Sequence, residues 1–190
     1  MLLMLTSFNV LHAQVSITHV FGDHPLPAPP GVVNTTEGTQ QGRLFRGGVP
    51  TTCTSNYAAG ILSSGSVFAF EAYTFRAATT GCLEIDVSET AASVYFAVYQ
   101  GVYDPGNMTA NRIAEQGSST VGLFGGEVVG GQLYTLVVME SGTNASGTAY
   151  SVTLDNVAEP SAVPISGWGI TFAAVFMLAF LVLRKRLVNA

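Results

Sequence analysis

The thirty C-terminal residues constrain this chain most. Val163 to Leu183 form a run of twenty-one residues without a charge, and Arg184, Lys185 and Arg186 follow at once. At ~1.5 Å rise per residue, a helix over this run spans the ~30 Å hydrocarbon core of a bilayer. Lys and Arg are retained on the cytoplasmic side, so the three cations place the C-terminus inside the cell and everything before Pro160 outside. The expectation is an exported domain followed by one C-terminal transmembrane α-helix. Such a chain passes through the inner membrane as a single-pass intermediate, in contact with lipid, with its N-terminus outside.

The outer edge of the run departs from a plain membrane anchor. Val163, Pro164, Ile165, Ser166, Gly167, Trp168 and Gly169 come first, then an apolar helix, then the cations Arg184, Lys185 and Arg186. That order resembles the tripartite C-terminal sorting signals of Gram-negative bacteria, the PEP-CTERM and IPTL-CTERM class. The resemblance covers roughly residues 160–190, with Val-Pro-Ile-Ser standing where Pro-Glu-Pro or Ile-Pro-Thr-Leu is commonest. It implies an exosortase-type membrane enzyme as processing partner, and release to the outer surface or the extracellular matrix. Pro and Gly fray a helix at the outer interface and expose backbone to such an enzyme, and Trp168 suits the same depth. The alternative is a permanent anchor with Trp168 at the headgroup level.

Charge narrows the remainder. Before the tail there are four arginines, Arg43, Arg46, Arg76 and Arg112, and no lysine, against twelve acids. An exterior this acidic repels phosphate backbones, which excludes nucleic acid as a partner. Residues 1–14 read as a secretory signal with a truncated start: Met1 to Val10 are mostly apolar and Ala13 offers a small residue for cleavage, but no Lys or Arg precedes them. In an exported chain the two cysteines, Cys53 and Cys82, are expected to oxidise to a disulfide worth roughly 3 to 4 kcal/mol in the chain-entropy model.

Residues 15–42 read as an extended connector, because Pro25, Pro27, Pro29, Pro30 and Gly31 break any helix. From Arg43 the period changes to two. Leu83, Ile85 and Val87 alternate with Glu84 and Asp86; Val94–Tyr99, Tyr134–Val138 and Tyr150–Leu154 behave alike. A further strand covers Val67–Arg76, where Phe68 and Phe70 have the opposite parity to Tyr73 and Phe75, which predicts a bulge near Glu71. A sixth lies within Ser119–Val129, interrupted at Gly125 and Gly126. Strands this short and this many make an all-β, Greek-key or jelly-roll β-sandwich over residues 43–156. A linker at 157–163 then leads to the sorting motif, helix and basic stop at 164–186.

The same domain carries a second resemblance. Arg43-Leu-Phe-Arg46, Gly48-Val-Pro-Thr-Thr-Cys53, Ala72-Tyr-Thr-Phe75, Cys82, Phe96-Ala-Val-Tyr99 and Tyr103-Asp-Pro-Gly-Asn107 look like the all-β domains related to bacterial pre-peptidase C-terminal domains. The likeness covers about residues 43–156 and implies an accessory or adhesive module rather than a catalytic one.

Motifs for chemistry are sparse. There is no Gly-x-Ser-x-Gly, no His-Glu-x-x-His and no phosphate-cradling glycine loop. His19, Asp23 and His24 share the connector, where nothing would hold a metal's geometry. Glu84 and Asp86, two apart on one strand, read as a wet face. Asp104 and Asn107 are calcium candidates, although Asp-Pro-Gly-Asn is also an ordinary turn. Asn34, Asn107 and Asn144 each begin an Asn-x-Ser/Thr sequon. Tyr95, Tyr99 and Tyr103 read as covered within the sandwich or by its loops, with an exposed aromatic platform for sugar or a partner strand as the alternative.

The reading is a non-enzymatic, exported cell-envelope protein with a structural, adhesive or ligand-binding sandwich and no required cofactor. A polysaccharide or a surface protein is its possible partner. The alternative is a small tethered hydrolase acting on polysaccharide or peptide.

Overall fold

The structure is a computed structural model that describes residues 12–45, 48–55, 61–90, 93–142 and 145–159. The sorting motif Val163–Gly169 and the basic stop Arg184–Arg186 lie outside these residues. Among the described residues no helix is long and apolar enough to cross a membrane.

Among the described residues, nine antiparallel strands form two sheets. One sheet runs β1 (His12–Val20), β9 (Ala149–Ala158), β4 (Gly81–Thr90), β7 (Gly122–Val128). The other runs β2 (Val32–Leu44), β3 (Ile61–Arg76), β8 (Leu133–Glu140), β5 (Val94–Gln100), β6 (Arg112–Glu115). With β2 set aside, the other eight strands pass between the sheets in the order of a jelly roll.

The two sheets differ in how many faces they bury. The first is amphipathic: Val15, Ile17, Leu83, Ile85, Val87, Val152 and Leu154 point into the core, while Glu84, Asp86 and Ser88 stay exposed. Hydroxyl pairs join its outer face, Ser16 to Thr153 at 3.2 Å and Thr18 to Ser151 at 3.0 Å. The second sheet is covered on both sides. Tyr73, Phe75, Phe96, Val98, Leu136 and Val138 meet the first sheet. Phe70, Ala72, Tyr95, Tyr99, Val137 and Met139 form a second cluster on the far face, under Tyr103 and Met108 of the loop after β5.

That double burial corrects the expected bulge near Glu71. Residues 67–74 of β3 pair without a shift against 34–41 of β2, and the irregularities fall elsewhere: at Val33 of β2, between Val32 and Asn34, and where β3 runs from Val67 to Leu62 opposite Gln41 to Arg43. The change of parity from Phe68 and Phe70 to Tyr73 and Phe75 records two buried faces, not a slipped register.

The connector at 15–42 is also corrected. β1 and β2 occupy most of it, and the proline-rich part is confined to the turn between them. Val15 and Ile17 alternate with Ser16 and Thr18, which is the period of a half-buried strand. His12, Ala13 and Gln14, assigned above to the signal, belong to β1, where Ala13 stands opposite Val157. Residues 1–11 lie outside the described set.

Gly125 and Gly126 do not interrupt β7; they let it approach its neighbours. A Cβ on Gly125 would lie 2.4 Å from the Leu83 carbonyl oxygen, and one on Gly126 2.7 Å from that of Ile113. We expect Gly125→Ala to lower the unfolding free energy by about 2 kcal/mol, since backbone itself must move. Gly142→Ala, where a Cβ meets nothing within 4 Å, should stay within about 0.5 kcal/mol when both variants are unfolded in urea beside the parent.

Candidate functional site

Among the described residues, a well-formed polar site lies where β1 turns into β2. Antiparallel register sets Glu37 of β2 directly opposite Glu71 of β3, and residues so placed share one face of the sheet. Glu71 has the parity of Tyr73 and Phe75, so its carboxylate is carried into the sandwich, where it is 2% exposed. A buried carboxylate must be hydrogen-bonded to be tolerated. Glu71 meets that requirement through the Gly22 backbone N–H, which donates to Oε1 at 2.7 Å, and the Tyr150 hydroxyl, which donates to Oε2 at 2.6 Å.

Tyr73 extends the chain inward, its hydroxyl 2.5 Å from that of Tyr150. Because Tyr150 gives its proton to Glu71, Tyr73 is the donor between the two phenols. Burial pushes both phenols well above their usual range, and for Tyr150 the neighbouring Tyr73 and Glu71 push the same way. Both therefore remain donors across the ordinary pH range. His19 stands beside this network, its Nε2 3.9 Å from Glu71 Oε1 and 3.0 Å from the Asp23 carbonyl oxygen, with its ring edge-on to Tyr150.

Above Glu71 is a cleft of about 240 Å³. Phe21, Ala69 and Phe70 contribute its apolar lining, and Glu37, Thr39 and His24 its polar margin. His24 Nδ1 lies 2.6 Å from Glu37 Oε2, and both side chains are about half exposed. The same two residues also line a second hollow with Pro25, Leu26, Thr35 and Thr36, so their contact is the partition between two depressions along β2.

No family model and no curated protein matches this chain. Among solved structures it is similar to CBM29_1, a family 29 carbohydrate-binding module from Piromyces equi, at 16% sequence identity and a TM-score of 0.29, over 65% of this chain and 92% of that one. A likeness of that size sets no expectation for the ligand.

The residues singled out in the sequence are differently placed. Cys53 and Cys82 form the disulfide, with Cα atoms 5.5 Å apart. Asp104 and Asn107 are exposed at a turn. The Asn107 N–H donates to the Asp104 carbonyl oxygen at 3.0 Å and the Gly106 N–H to the Asp104 carboxylate at 2.9 Å, the turn geometry named as the alternative to a calcium site. Among the described residues no group of three or more His, Cys, Asp or Glu is arranged to hold a metal ion. His19 and His24 turn to different carboxylates, Glu71 and Glu37. Tyr95, Tyr99 and Tyr103 are buried and form no exposed platform. The Tyr99 hydroxyl donates to the Met108 carbonyl at 3.0 Å and that of Tyr103 to Gln40.

Sequence reasoning passed over Glu37 and Glu71 as a pair. They are thirty-four positions apart, and only the β2–β3 register brings them together. The cue that could have found them is an acid on an otherwise apolar parity: Glu71 shares its face with Tyr73 and Phe75.

Proposed function

We propose that this chain is an exported cell-envelope protein whose jelly-roll sandwich serves as a structural, adhesive or ligand-binding module at the outer surface or in the extracellular matrix. Residues 160–190 deliver it there as a tripartite sorting signal processed by an exosortase-type membrane enzyme. The observation that supports export most directly is the Cys53–Cys82 bridge, because structural disulfides persist in oxidising compartments and are rare in the cytosol. The lysine-free, acid-rich composition before the tail agrees with an exposed surface kept soluble by its charge.

A binding role is favoured over the tethered hydrolase by Glu71. A hydrolase of the two-carboxylate kind needs one carboxyl group able to pass a proton to its substrate, and both oxygens of Glu71 are already engaged by Gly22 and Tyr150.

Mass spectrometry of the surface-exposed form, released by washing intact cells and digested without reductant, tests the whole reading. A mature chain with Cys53 linked to Cys82 and without Trp168–Ala190 is the expected result. Retention of that tail on the surface form points to a permanent anchor. Recovery of the chain with free thiols in the cytosol overturns the proposal.

A further inference from the structure

We propose that the cleft over Glu71 is a subsite for one unit of an uncharged sugar, held between the margin of Glu37 and Thr39 and the apolar wall of Phe21 and Ala69. This rests on the binding role proposed above and names its ligand class.

Size sets the first limit. About 240 Å³ falls below the ~300–1,000 Å³ of sites that enclose drug-sized molecules, so the cleft takes one ring rather than a longer segment. Its position on β2, the outermost strand of its sheet, leaves it open sideways. A polymer could therefore present one residue here while continuing past the edge.

The polar groups choose among ligand classes. Two carboxylates line the cleft, and among the described residues no Lys or Arg does. Phosphate, sulfate and uronic acids are thereby repelled. An organic ammonium would be attracted, but it brings only donors. Glu71 is occupied on both oxygens and His24 takes one oxygen of Glu37 at 2.6 Å, so a cation finds one open carboxylate oxygen and can accept nothing from Thr39. A sugar hydroxyl both donates and accepts. It can give its proton to the second oxygen of Glu37 and accept from the Thr39 hydroxyl, which likewise plays either part. The C–H face of the ring then lies against the apolar wall, as ligand pockets with few polar groups require. His24 holds Glu37 in one orientation and so acts as a positioning residue.

The test uses the full chain purified in detergent and saturation-transfer NMR. The probes are methyl glycosides of glucose, galactose, mannose and N-acetylglucosamine, with glucuronic acid and lysine amide as charged controls. At least one neutral glycoside is expected to bind, and glucuronic acid should not. Glu37→Gln keeps the size of an exposed side chain while removing its charge. It should weaken that binding about ten- to a hundredfold, the loss of a hydrogen bond to a charged group. His24→Ala should weaken it about threefold to tenfold through lost orientation, with the far-UV spectrum and urea midpoint of both variants unchanged.

The proposal is overturned if no neutral glycoside binds, if binding survives Glu37→Gln unchanged, or if lysine amide binds and the glycosides do not. None of those outcomes touches export. A chain found at the surface with an inert cleft loses only this site, whereas a cytosolic chain that binds glycosides loses the envelope role and keeps the site.

Discussion

Glu71→Ala is expected to destabilise the sandwich by about 3–5 kcal/mol, the largest effect of any single substitution near the cleft. Three losses combine. The Gly22 N–H and the Tyr150 hydroxyl each lose a charged acceptor at 2.7 and 2.6 Å. The phenol is left buried without one, and an unmade buried hydrogen bond costs about 1–3 kcal/mol. Truncation also opens a void beside Tyr73 and Phe21. Gly22 has φ +88°, a left-handed conformation natural to glycine, so the turn that delivers its N–H to Glu71 is itself specified.

The three elements concerned are β3, β9 and the turn between β1 and β2, which lie far apart in sequence. Glu71→Gln should cost less, about 1–3 kcal/mol, because one of its ends becomes a donor facing a donor. Tyr73→Phe, which removes a hydroxyl that only donates to Tyr150, should cost about 1 kcal/mol. Urea titration of the three variants gives the order directly. A Glu71→Ala protein within 1 kcal/mol of the parent would show that water replaces the missing carboxylate and that the brace is unimportant.

The same residue marks where the sequence could and could not be read. Strands with one wet face were legible because charge alternates with bulk: Leu83, Ile85 and Val87 against Glu84 and Asp86 in β4. Strands buried on both faces lose that alternation. In β5, where every residue from Val94 to Tyr99 is buried, the strand was still placed from its β-branched and aromatic residues, but in β3 the doubled pattern passed for a bulge. β2 failed for the opposite reason: it is an outermost strand rich in Thr, Gln and Gly, with its side chains mostly in solvent, so burial leaves no periodic mark. Four-residue β6 is too short to show a period at all. Of the candidate site, individual groups were visible and their meeting was not, since the pairing of Glu37 with Glu71 belongs to register, a long-range property.

Removing the disulfide by changing Cys53 and Cys82 together to serine is expected to lower stability by about 3–4 kcal/mol, from the entropy regained by the unfolded chain over a 29-residue separation. For a domain of this size that is about 10 °C in Tm. The bridge also has a local duty. Residues 48–53 run along the seam between the outer strands of the two sheets. Gly48 and Thr51 donate their N–H groups to the Gly117 and Glu115 carbonyls, each at 3.0 Å, beside β6, and the Gly125 N–H of β7 donates to the Thr51 carbonyl at 2.9 Å. Cys53 ties that segment to β4 through Cys82. Without the tie, the segment should open before the sandwich does and expose the free edge of β7, with Val121 and Leu123 already in solvent. A bare apolar edge of this kind invites strand addition. Hydrogen exchange should therefore show the Gly125 and Thr51 amides losing protection at a lower urea concentration than those of β8 in the double variant, and together with them in the parent. If all three lose protection together in both proteins, the bridge acts only on the unfolded chain. A chain carrying such a seam depends on oxidation to keep its edge closed, which agrees with the oxidising compartment proposed above.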